Sequence, residues 1–390
     1  MHVLISAVSS ARQPSGICRY AANLSLALAH AVSKVTLVIA SWQAGYFHRA
    51  FDLQHRNLAI VRVQIRKNAC SRNLWYFGAL PRLARQHRAD IVQFGFPAPL
   101  AKHRFSCPVV TCIHDLYPYD IPRNFGVCRA LFNRLFLQQC VKASSHLVCS
   151  SDWTLRRLST IFPESRSRCT RIYQSIRPEP SMLLPPPVPC LGGHPYILMV
   201  AQHRSNKNID LVLQAFAQLQ RSRTDRKLLL LIVGADGPET RSLKSLVQRL
   251  SLHSSVMFIA GLRDVELGWL YRTCEALVVA SSIEGFCLPV AEALAFGCRV
   301  LCSDIPVLRE VGGPSCQYFD LSNNDVVATL AHSMQDILDS PSHQPVGLER
   351  FSPSVIARQY TDLYSKVLQG QAIDTTHTSE YDDAAQQYVS

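Results

Sequence analysis

The chain has no apolar run near the roughly 20 residues that a membrane-spanning helix needs. Its longest apolar stretch, Leu228–Val233, fits a buried strand. The N-terminus, MHVLISAVSS, has neither a basic flank nor a long apolar core, so it is interpreted as a first strand and not as a signal peptide. We therefore expect a cytoplasmic protein.

Several chemical signatures are also missing. The 14 cysteines have no metal-ligand or disulfide-scaffold spacing, so we expect them to be reduced and mostly buried. No Asp-x-Asp motif occurs, no G-x-G-x-x-G follows the first strand, and no zinc-finger, helix-turn-helix or RNA-recognition signature appears. These absences argue against a metal site, a dinucleotide cofactor and a nucleic-acid partner.

Acidic residues are scarce in the first half. Residues 1–180 carry 24 Lys+Arg against 7 Asp+Glu, a net of +17, whereas residues 181–390 carry 16 against 21, a net of −5. This asymmetry predicts docking on an anionic partner: a membrane leaflet, a lipid-diphosphate acceptor or, least favoured, nucleic acid. The alternative is that the excess arginine only solvates the surface.

Strand and helix patterns alternate, which predicts an α/β protein with parallel, doubly wound sheets that bind ligands at the carboxyl ends of strands. We expect an N-terminal domain over 1–177, a proline-rich linker over 178–195, a C-terminal domain over 196–350, a helix over 351–369 and a disordered tail over 370–390. The predicted strands are His2–Val8, Val35–Ala40, Ala59–Ile65, Asp90–Phe94, Pro108–Ile113, His146–Ser150, Tyr196–Ala201, Lys227–Val233, Ser255–Ile259, Ala276–Ala280 and Arg299–Ser303.

The stretch Glu284–Val300, EGFCLPVAEALAFGCRV, is the most informative part of the chain. An apolar strand precedes it, and Pro289 and Gly297 suit the first turn and the end of a helix. A helix N-terminus after a strand and a tight loop can bind an anion through its amides. The carboxylates of Glu284 and Glu292 can accept hydrogen bonds from hydroxyls. The pattern predicts a site for a molecule that has both phosphate and hydroxyl groups, as a nucleotide sugar has.

The same stretch resembles the E-x7-E signature of the family 4 (group 1) glycosyltransferases, EGFGLPxxEAxAxGxPV. Cys287 stands where glycine is usual and Arg299 where proline is usual; a Cβ at residue 287 would crowd the loop. The matching positions are Glu284, Gly285, Phe286, Leu288, Pro289, Glu292, Ala293, Ala295, Gly297 and Val300. The resemblance implies the GT-B architecture, in which two Rossmann-like domains face each other across a cleft. It places the acceptor on the first domain and the nucleotide sugar on the second, and it implies that the helix over 351–369 crosses back onto the first domain.

The segment Gln202–Asn208, QHRSNKN, lies between a predicted strand and the predicted helix Ile209–Leu219. It resembles the family's Arg…Lys-Asn element, which implies that Arg204 and Lys207 hold the donor diphosphate. The alternative interpretation is two solvated loop cations.

The first half has two further resemblances. Pro14–Asn23, PSGICRYAAN, is predicted to lie between strand one and helix one and resembles the family's GGIGRYxxxL loop. Gly16 is retained, whereas Ser15 and Cys18 replace glycines. The resemblance implies that Gly16 approaches the donor phosphate or the acceptor.

The second is Thr111–Asp120, TCIHDLYPYD, which resembles the HDLxP element of mannosyltransferase-like members. It implies that His114 contacts the donor sugar and that Asp115 orients this ring or approaches the acceptor hydroxyl. The alternative for His114 is a structural histidine at a strand end.

The resemblance implies a retaining hexosyltransferase without a metal or another cofactor, acting in polysaccharide or lipopolysaccharide synthesis. Arg204, Lys207 and the amides around Phe286–Leu288 would stabilise the departing diphosphate. Glu292 would bind ribose hydroxyls and Glu284 sugar hydroxyls, neither acting as a nucleophile. The donor stays open between GDP-mannose, which is favoured, and a UDP-hexose; the acceptor is a glycan or a lipid-diphosphate-linked glycan.

Two alternatives from other classes stay open at this point. One is a sugar-nucleotide epimerase or hydrolase with the same fold. The other is a catalytically inactive partner subunit, which the departures Ser15, Cys18, Cys287 and Arg299 suggest.

Attachment to the inner face of the membrane is favoured because family 4 acceptors are often lipid-linked. We expect it to be peripheral and electrostatic: anionic liposomes bind the basic half and salt releases it, since exposed charges are screened within about 10 Å at 0.1 M. Neutral liposomes are not expected to bind, as no inserted apolar helix is evident in the sequence.

Overall fold

The computed structural model describes residues 1–9, 16–122, 127–177, 193–222, 227–341 and 345–371, with only the backbone for 127–129. The chain divides into two compact units. Unit 1 is Met1–Ser175 with the segment from Glu349 onward, and unit 2 is Ile176–Leu348. Most of the predicted linker and of the predicted tail lies outside the described residues, which include only 193–195 and 370–371 of them.

Unit 1 contains a parallel sheet in the order β3-β2-β1-β4-β5-β6-β7. Its strands are short, apolar and mostly buried, as expected where helices cover both faces of a parallel sheet. They are β1 (His2–Ser6), β2 (Lys34–Ala40), β3 (Leu58–Val63), β4 (Ile91–Phe94), β5 (Val109–Ile113), β6 (His146–Cys149) and β7 (Cys169–Arg171). The helices are α1 (Gly16–Ala29), α2 (Ala44–Ala50), α3 (Ala69–Leu74), α4 (Leu80–Gln86), α5 (Tyr117–Asp120), α6 (Val127–Ala143) and α7 (Asp152–Ile161).

Unit 2 contains a second parallel sheet in the order β10-β9-β8-β11-β12-β13. Its strands are β8 (Tyr196–Val200), β9 (Leu229–Val233), β10 (Val256–Ile259), β11 (Ala276–Val279), β12 (Val300–Ser303) and β13 (Cys316–Phe319). The helices are α8 (Ile209–Ser222), α9 (Thr240–Arg249), α10 (Asp264–Thr273), α11 (Leu288–Ala295), α12 (Pro306–Gly312) and α13 (Val326–Asp339). The strand order reverses between β8 and β11, so the unit has a topological switch point there.

The predicted α/β class with two Rossmann-like sheets is confirmed, and each predicted strand is present within about two residues at either end. The sequence patterns did not reveal two edge strands, β7 and β13. Both are short and mix polar with apolar residues, so their periodicity is weak.

The last helix, α14 (Pro353–Gln369), belongs to unit 1. Its buried face carries Tyr360 and Tyr364. The Tyr360 hydroxyl lies 2.6 Å from that of Tyr20 on α1, and the Tyr364 hydroxyl donates to Gln93 Oε1 on β4 at 3.0 Å. Two buried tyrosines with satisfied hydroxyls fix this helix against the unit.

Among the described residues, no helix is both long and apolar enough to cross a membrane.

Candidate donor-binding site

Two loops of unit 2 lie at the switch point between β8 and β11. The first, residues 201–208, leads from β8 to α8, and the second, residues 280–287, leads from β11 to α11. Because β8 and β11 are parallel neighbours, both loops leave the same carboxyl edge of the sheet. The sequence-predicted Arg204, Lys207, Glu284 and Cys287 are thus brought together.

Hydrogen bonds join the two loops. The Ser282 amide donates to Asn206 O at 3.0 Å, and the Asn208 side chain donates to Ala280 O at 2.8 Å. Asn208 itself has φ 48°, in the left-handed region that asparagine tolerates better than most residues. The hydrogen bonds of Ser282 and Asn208 therefore hold the two loops in a fixed arrangement.

A buried ion pair spans the two motifs. The Lys207 ammonium contacts Glu284 Oε1, and the side chains are 18% and 7% exposed. Glu284 Oε1 also accepts from Ser281 Oγ at 2.9 Å. Burial acts to lower the Lys207 pKa, but the attraction of Glu284, aided by Cys287 and by the hydrogen bond to Glu284, overcomes it and raises the pKa. Lys207 is therefore a firmly cationic group at the sheet edge.

Arg204 begins the turn that contains Lys207 and is half-buried. Within the described chain, its guanidinium has no carboxylate partner, unlike the ammonium of Lys207. The Arg204 charge acts to lower the Lys207 pKa, so the two cations are close enough to repel. A local excess of positive charge in a preorganised loop suits a diphosphate.

Glu292 lies on α11, one to two turns after Cys287. It is buried, and its Oε2 accepts from the Tyr271 hydroxyl on α10 at 3.0 Å. The Tyr271 ring stacks on Phe296 with 6.0 Å between centroids. Tyr271 thus orients the carboxylate from the side of α10.

The loop before α11 carries the departure that the sequence flagged. Cys287 adopts φ 71° and ψ 73° and precedes the first residue of α11, Leu288. A left-handed conformation costs a non-glycine residue about 1–2 kcal/mol, which explains why the signature has glycine here. Phe286 and Cys287 are buried, and Gly285 precedes them. Residue 287 therefore adopts a glycine-type backbone conformation although it carries a Cβ.

Arg299, the other residue that differs from the family signature, is held by hydrogen bonds and an ion pair. Its guanidinium donates to the carbonyls of Ile337, Leu338 and Ser340 at the end of α13, at 2.9, 3.2 and 2.6 Å. It also pairs with Glu275 Oε2 at 2.9 Å. These carbonyls are the acceptors that a helix C-terminus leaves without intrahelical donors, so Arg299 caps α13.

We expect Arg299→Ala to lower the free energy of unfolding by about 2 kcal/mol, because charge-assisted hydrogen bonds to buried carbonyls are lost. Nucleotide affinity should stay unchanged, since the side chain caps a helix away from the two motif loops. Urea unfolding and nucleotide titration measure the two quantities. Arg272→Ala, an exposed arginine on α10, serves as the matched control; equal destabilisation by both changes would contradict the capping role.

A third loop of the site was missed from the sequence. Residues 234–239, GADGPE, follow β9, the neighbour of β8. A Cβ on Gly234 would lie 1.9 Å from Ala201 O, and one on Gly237 would lie 2.2 Å from His203 O. Only glycine permits this approach. Two glycines directly after an apolar strand were the signal that could have revealed the loop.

His203 connects this third loop with the first. It is buried, its Nδ1 lies 2.8 Å from Thr240 Oγ1, and its ring meets Phe258 edge-on at 5.2 Å. Burial lowers the His203 pKa, against the attraction of Asp236. A neutral histidine thus holds the 234–239 loop beside the 201–208 loop.

In unit 1, His114 follows β5 and is held on both ring nitrogens. Nε2 lies 2.7 Å from Gly95 O, which can only accept, so Nε2 carries the proton. Nδ1 lies 3.4 Å from the Gln174 amide nitrogen, and the ring meets Tyr20 edge-on at 4.6 Å. Burial lowers the His114 pKa to about 4, although the Gly95 hydrogen bond opposes this. His114 is therefore a neutral, oriented ring near pH 7.

Asp115 and Gly16 have local structural contacts. Asp115 Oδ1 accepts from the Tyr117 amide at 3.1 Å, at the start of α5. Gly16 is the first residue of α1, so the predicted loop Pro14–Asn23 is wrong from Gly16 onward, where the chain is already helical. Residues 10–15 lie outside the described residues. Buried Cys18 accepts a long hydrogen bond of 3.5 Å from Gln43 Nε2.

The buried histidines predict a pH dependence of stability. His146 resembles His114 in that burial, aided by Arg168, lowers its pKa to about 4. The unfolded chain takes up these protons near pH 6.5, so stability falls as pH drops from about 6.5 to 4, by up to about 3 kcal/mol for each histidine. His114→Gln should flatten the slope measured by urea unfolding, whereas exposed His48→Gln should not; a pH-independent wild type would contradict this.

Two family models match the chain. "Glycosyltransferase Family 4" matches residues 14–180, and "Glycosyl transferases group 1" matches residues 189–345, which contain the three loops of the site. The chain belongs to the family 4 (group 1) glycosyltransferases. The resemblance that the Glu284–Val300 stretch suggested is thereby confirmed.

Two curated relatives of this family 4 chain are named as O-antigen chain mannosyltransferases. It is 29% identical over 236 residues to "O-antigen chain mannosyltransferase B" of Escherichia coli, covering 59% of this chain and 61% of the relative. It is 27% identical to "O-antigen chain mannosyltransferase RfbU" of Salmonella typhimurium, covering 51% and 53%. The matches thus span about half to three fifths of the relatives' lengths.

Solved structures share the fold of this family 4 chain. Sucrose-phosphate synthase from Thermosynechococcus elongatus superposes with a TM-score of 0.72 at 18% identity, over 95% of this chain and 100% of that one. Anabaena HepE in complex with UDP and glucose gives 0.64 at 15% identity, over 94% and 100%. At these identities the likeness shows the GT-B class and not the substrate.

Proposed function

We propose that the protein transfers a hexose, with mannose favoured, from a nucleoside-diphosphate sugar to a glycan or lipid-diphosphate-linked acceptor of lipopolysaccharide or another polysaccharide. The observation that carries the proposal is the Lys207–Glu284 pair. It joins a cation that can bind phosphate to a carboxylate that can bind hydroxyl groups, at the switch point of unit 2.

The donor site follows from the chemistry of the three loops. Arg204 and Lys207 provide the cations for the diphosphate, and α11 begins beside them with the partial positive charge of a helix N-terminus. Glu292, oriented by Tyr271, is assigned to the ribose hydroxyls. Glu284 is assigned to the hydroxyls of the hexose.

In the proposed reaction, the bond between the anomeric carbon and the diphosphate oxygen breaks as a bond to the acceptor oxygen forms, and the proton of the acceptor hydroxyl passes to the departing diphosphate oxygen. Negative charge grows on the departing diphosphate, where Arg204 and Lys207 are already ordered to stabilise it. Retention of configuration is part of the proposal, with neither glutamate as a nucleophile. His114, neutral and fixed by Gly95 O at Nε2, is assigned to a sugar hydroxyl, which would replace the 3.4 Å contact of the Gln174 amide at Nδ1.

Mannose is favoured because two relatives are named as O-antigen mannosyltransferases, and a UDP-hexose stays the second donor. No metal is assigned a role, since the two cations and the helix N-terminus neutralise the diphosphate. Among the described residues, no group of three or more His, Cys, Asp or Glu could hold a metal ion.

A thermal-shift screen of nucleotide sugars tests the proposal. A ligand that binds the folded state raises Tm by mass action, with about 2.7 kcal/mol of stabilisation at 100 times its Kd, so at equal concentration the sugar nucleotide that binds most tightly gives the largest shift. GDP-mannose should give the largest shift, with GDP, UDP-glucose and ADP-glucose as comparison ligands. No shift with any nucleotide sugar would contradict the site.

Activity should persist in EDTA, because the diphosphate is held by protein cations. The matched measurement is product formation in EDTA with and without added magnesium, with the anomeric configuration of the product read by NMR. Loss of activity in EDTA that magnesium restores would overturn the metal-free part of the proposal. Conversion of donor with no glycosylated product would favour the epimerase or hydrolase alternative.

A further inference from the structure

The outer face of α6 is apolar. The helix packs Leu137 and Val141 into the core of unit 1. Its opposite face exposes four large apolar side chains, which form two adjacent pairs one turn apart. We name these four residues the α6 patch. They are Leu131, Phe132, Leu135 and Phe136, exposed by 58%, 58%, 53% and 37%. Single exposed apolar residues are ordinary, but a contiguous patch marks an interaction surface.

Exposed basic side chains lie on α6 itself and on the segment that follows Leu100, which α6 contacts through Gln139. Gln139, on the exposed side of α6, hydrogen-bonds the backbone of Leu100 through both its oxygen and its nitrogen. The next segment, Lys102–Arg104, is exposed throughout, and Lys142 is exposed in the last turn of α6. We name Lys102, Arg104 and Lys142 the basic rim.

The surface continues beyond the rim with a third aromatic residue, Phe77. The Arg104 guanidinium lies 4.4 Å from the ring centroid of Phe77, which is 41% exposed. Apolar side chains beside cations are the composition of helices that lie in the membrane interface. The net charge of +17 on residues 1–180 matches an anionic leaflet.

The geometry points to α6 as a membrane-insertion surface: the α6 patch enters the boundary between headgroups and acyl chains of an anionic leaflet, and the basic rim contacts the lipid phosphates. The helix has 17 residues and lies along unit 1, so it lies in the interface and does not span the bilayer. This differs from the sequence expectation of purely electrostatic attachment, which contained no inserted apolar surface. The proposed membrane insertion does not depend on the proposed transfer reaction.

Vesicle flotation with the full chain tests the insertion. The vesicles contain phosphatidylcholine with about 30% phosphatidylglycerol, which gives an anionic surface. We expect wild-type binding to these vesicles to weaken but persist when salt is raised. The double variant Phe132→Ser, Phe136→Ser should partition at least about tenfold less, because two aromatic side chains no longer leave water. Ile60→Ser is the matched control, since Ile60 is 39% exposed on β3, at the other edge of the sheet.

A fluorescence measurement reports on the depth of the helix. Phe132→Trp should gain emission that lipids brominated on the acyl chain quench, whereas Ile60→Trp should not. Equal vesicle binding by wild type and the double variant, no vesicle binding by wild type, or absence of quenching would each overturn the proposal. So would a wild-type dimer that the double variant dissociates, because the α6 patch would then be covered by a second copy.

Activity separates this proposal from the transfer proposal. With a short, water-soluble acceptor, the double variant should keep wild-type turnover, since neither phenylalanine belongs to the donor site. If no acceptor is glycosylated but vesicle binding depends on the α6 patch, the transfer proposal fails and the insertion proposal stands. If transfer occurs and the patch has no effect on vesicle binding, the reverse holds.

Discussion

Replacing Arg204 or Lys207 with alanine is expected to lower turnover at least about a hundredfold, the scale of losing one preorganised donor to a charge that develops in the transition state. Arg204 has no carboxylate partner among the described residues, so Arg204→Ala should leave the free energy of unfolding near that of wild type. Steady-state kinetics and urea unfolding on the same preparations separate catalysis from folding.

Lys207→Ala is expected to differ from Arg204→Ala in stability. The change leaves the Glu284 carboxylate buried without its counter-ion, which costs about 3 kcal/mol or more. A position on a loop would by itself predict that both changes spare the fold, but the ion pair with Glu284 makes Lys207 an exception. Arg221→Ala, an exposed arginine in the last turn of α8, is the control. Near-normal turnover of the Arg204→Ala, Lys207→Ala double variant would remove the diphosphate assignment.

Replacing Glu292 is expected to affect nucleotide binding, whereas replacing Glu284 is expected to affect sugar transfer. Glu292→Ala should weaken binding of the free nucleotide by about thirtyfold, because a carboxylate that accepts from ribose hydroxyls contributes about 1.5–3 kcal/mol. Glu284→Ala should spare nucleotide affinity and reduce transfer at least about a hundredfold, because its assigned partner is the sugar. Calorimetric titration with the nucleotide and product formation with the donor measure the two effects.

Two conservative variants sharpen this comparison. Tyr271→Phe removes only the hydroxyl that donates to Glu292, so it should weaken the nucleotide less than Glu292→Ala does. Glu284→Gln keeps the volume of the buried side chain and removes its charge, so a loss of transfer there is not a packing effect. Equal losses of nucleotide affinity in the Glu284 and Glu292 variants would show that the division between sugar and ribose is wrong.

The sequence predicted the architecture well because its signals were local. Buried parallel strands are continuous apolar runs, so β8, β9 and β11 were located within about two residues. The loops that carry Arg204 and Glu284 follow directly from those strands. Strand order, which brings both loops to one switch point, depends on long-range pairing that no local pattern encodes.

The parts that the sequence did not predict are interactions between distant segments. The Lys207–Glu284 pair joins residues that are 77 positions apart, and the Arg299 guanidinium reaches carbonyls about 40 positions away. The α6 patch was not evident from the sequence because the apolar residues of α6 occur all around the helix. No amphipathic pattern therefore distinguished the buried face from the exposed one. Only the packing of Leu137 and Val141 shows which side remains outside.

The Lys207–Glu284 pair has a consequence for the rate of turnover. Lys207 already has a carboxylate partner in Glu284, so a diphosphate that binds to Lys207 exchanges one counter-ion for another and does not neutralise a bare ammonium. In the proposed reaction, Glu284 takes back the ammonium of Lys207 when the spent nucleotide departs. We expect an internal counter-ion of this kind to lower the barrier to product release, the step that often limits kcat when chemistry is fast.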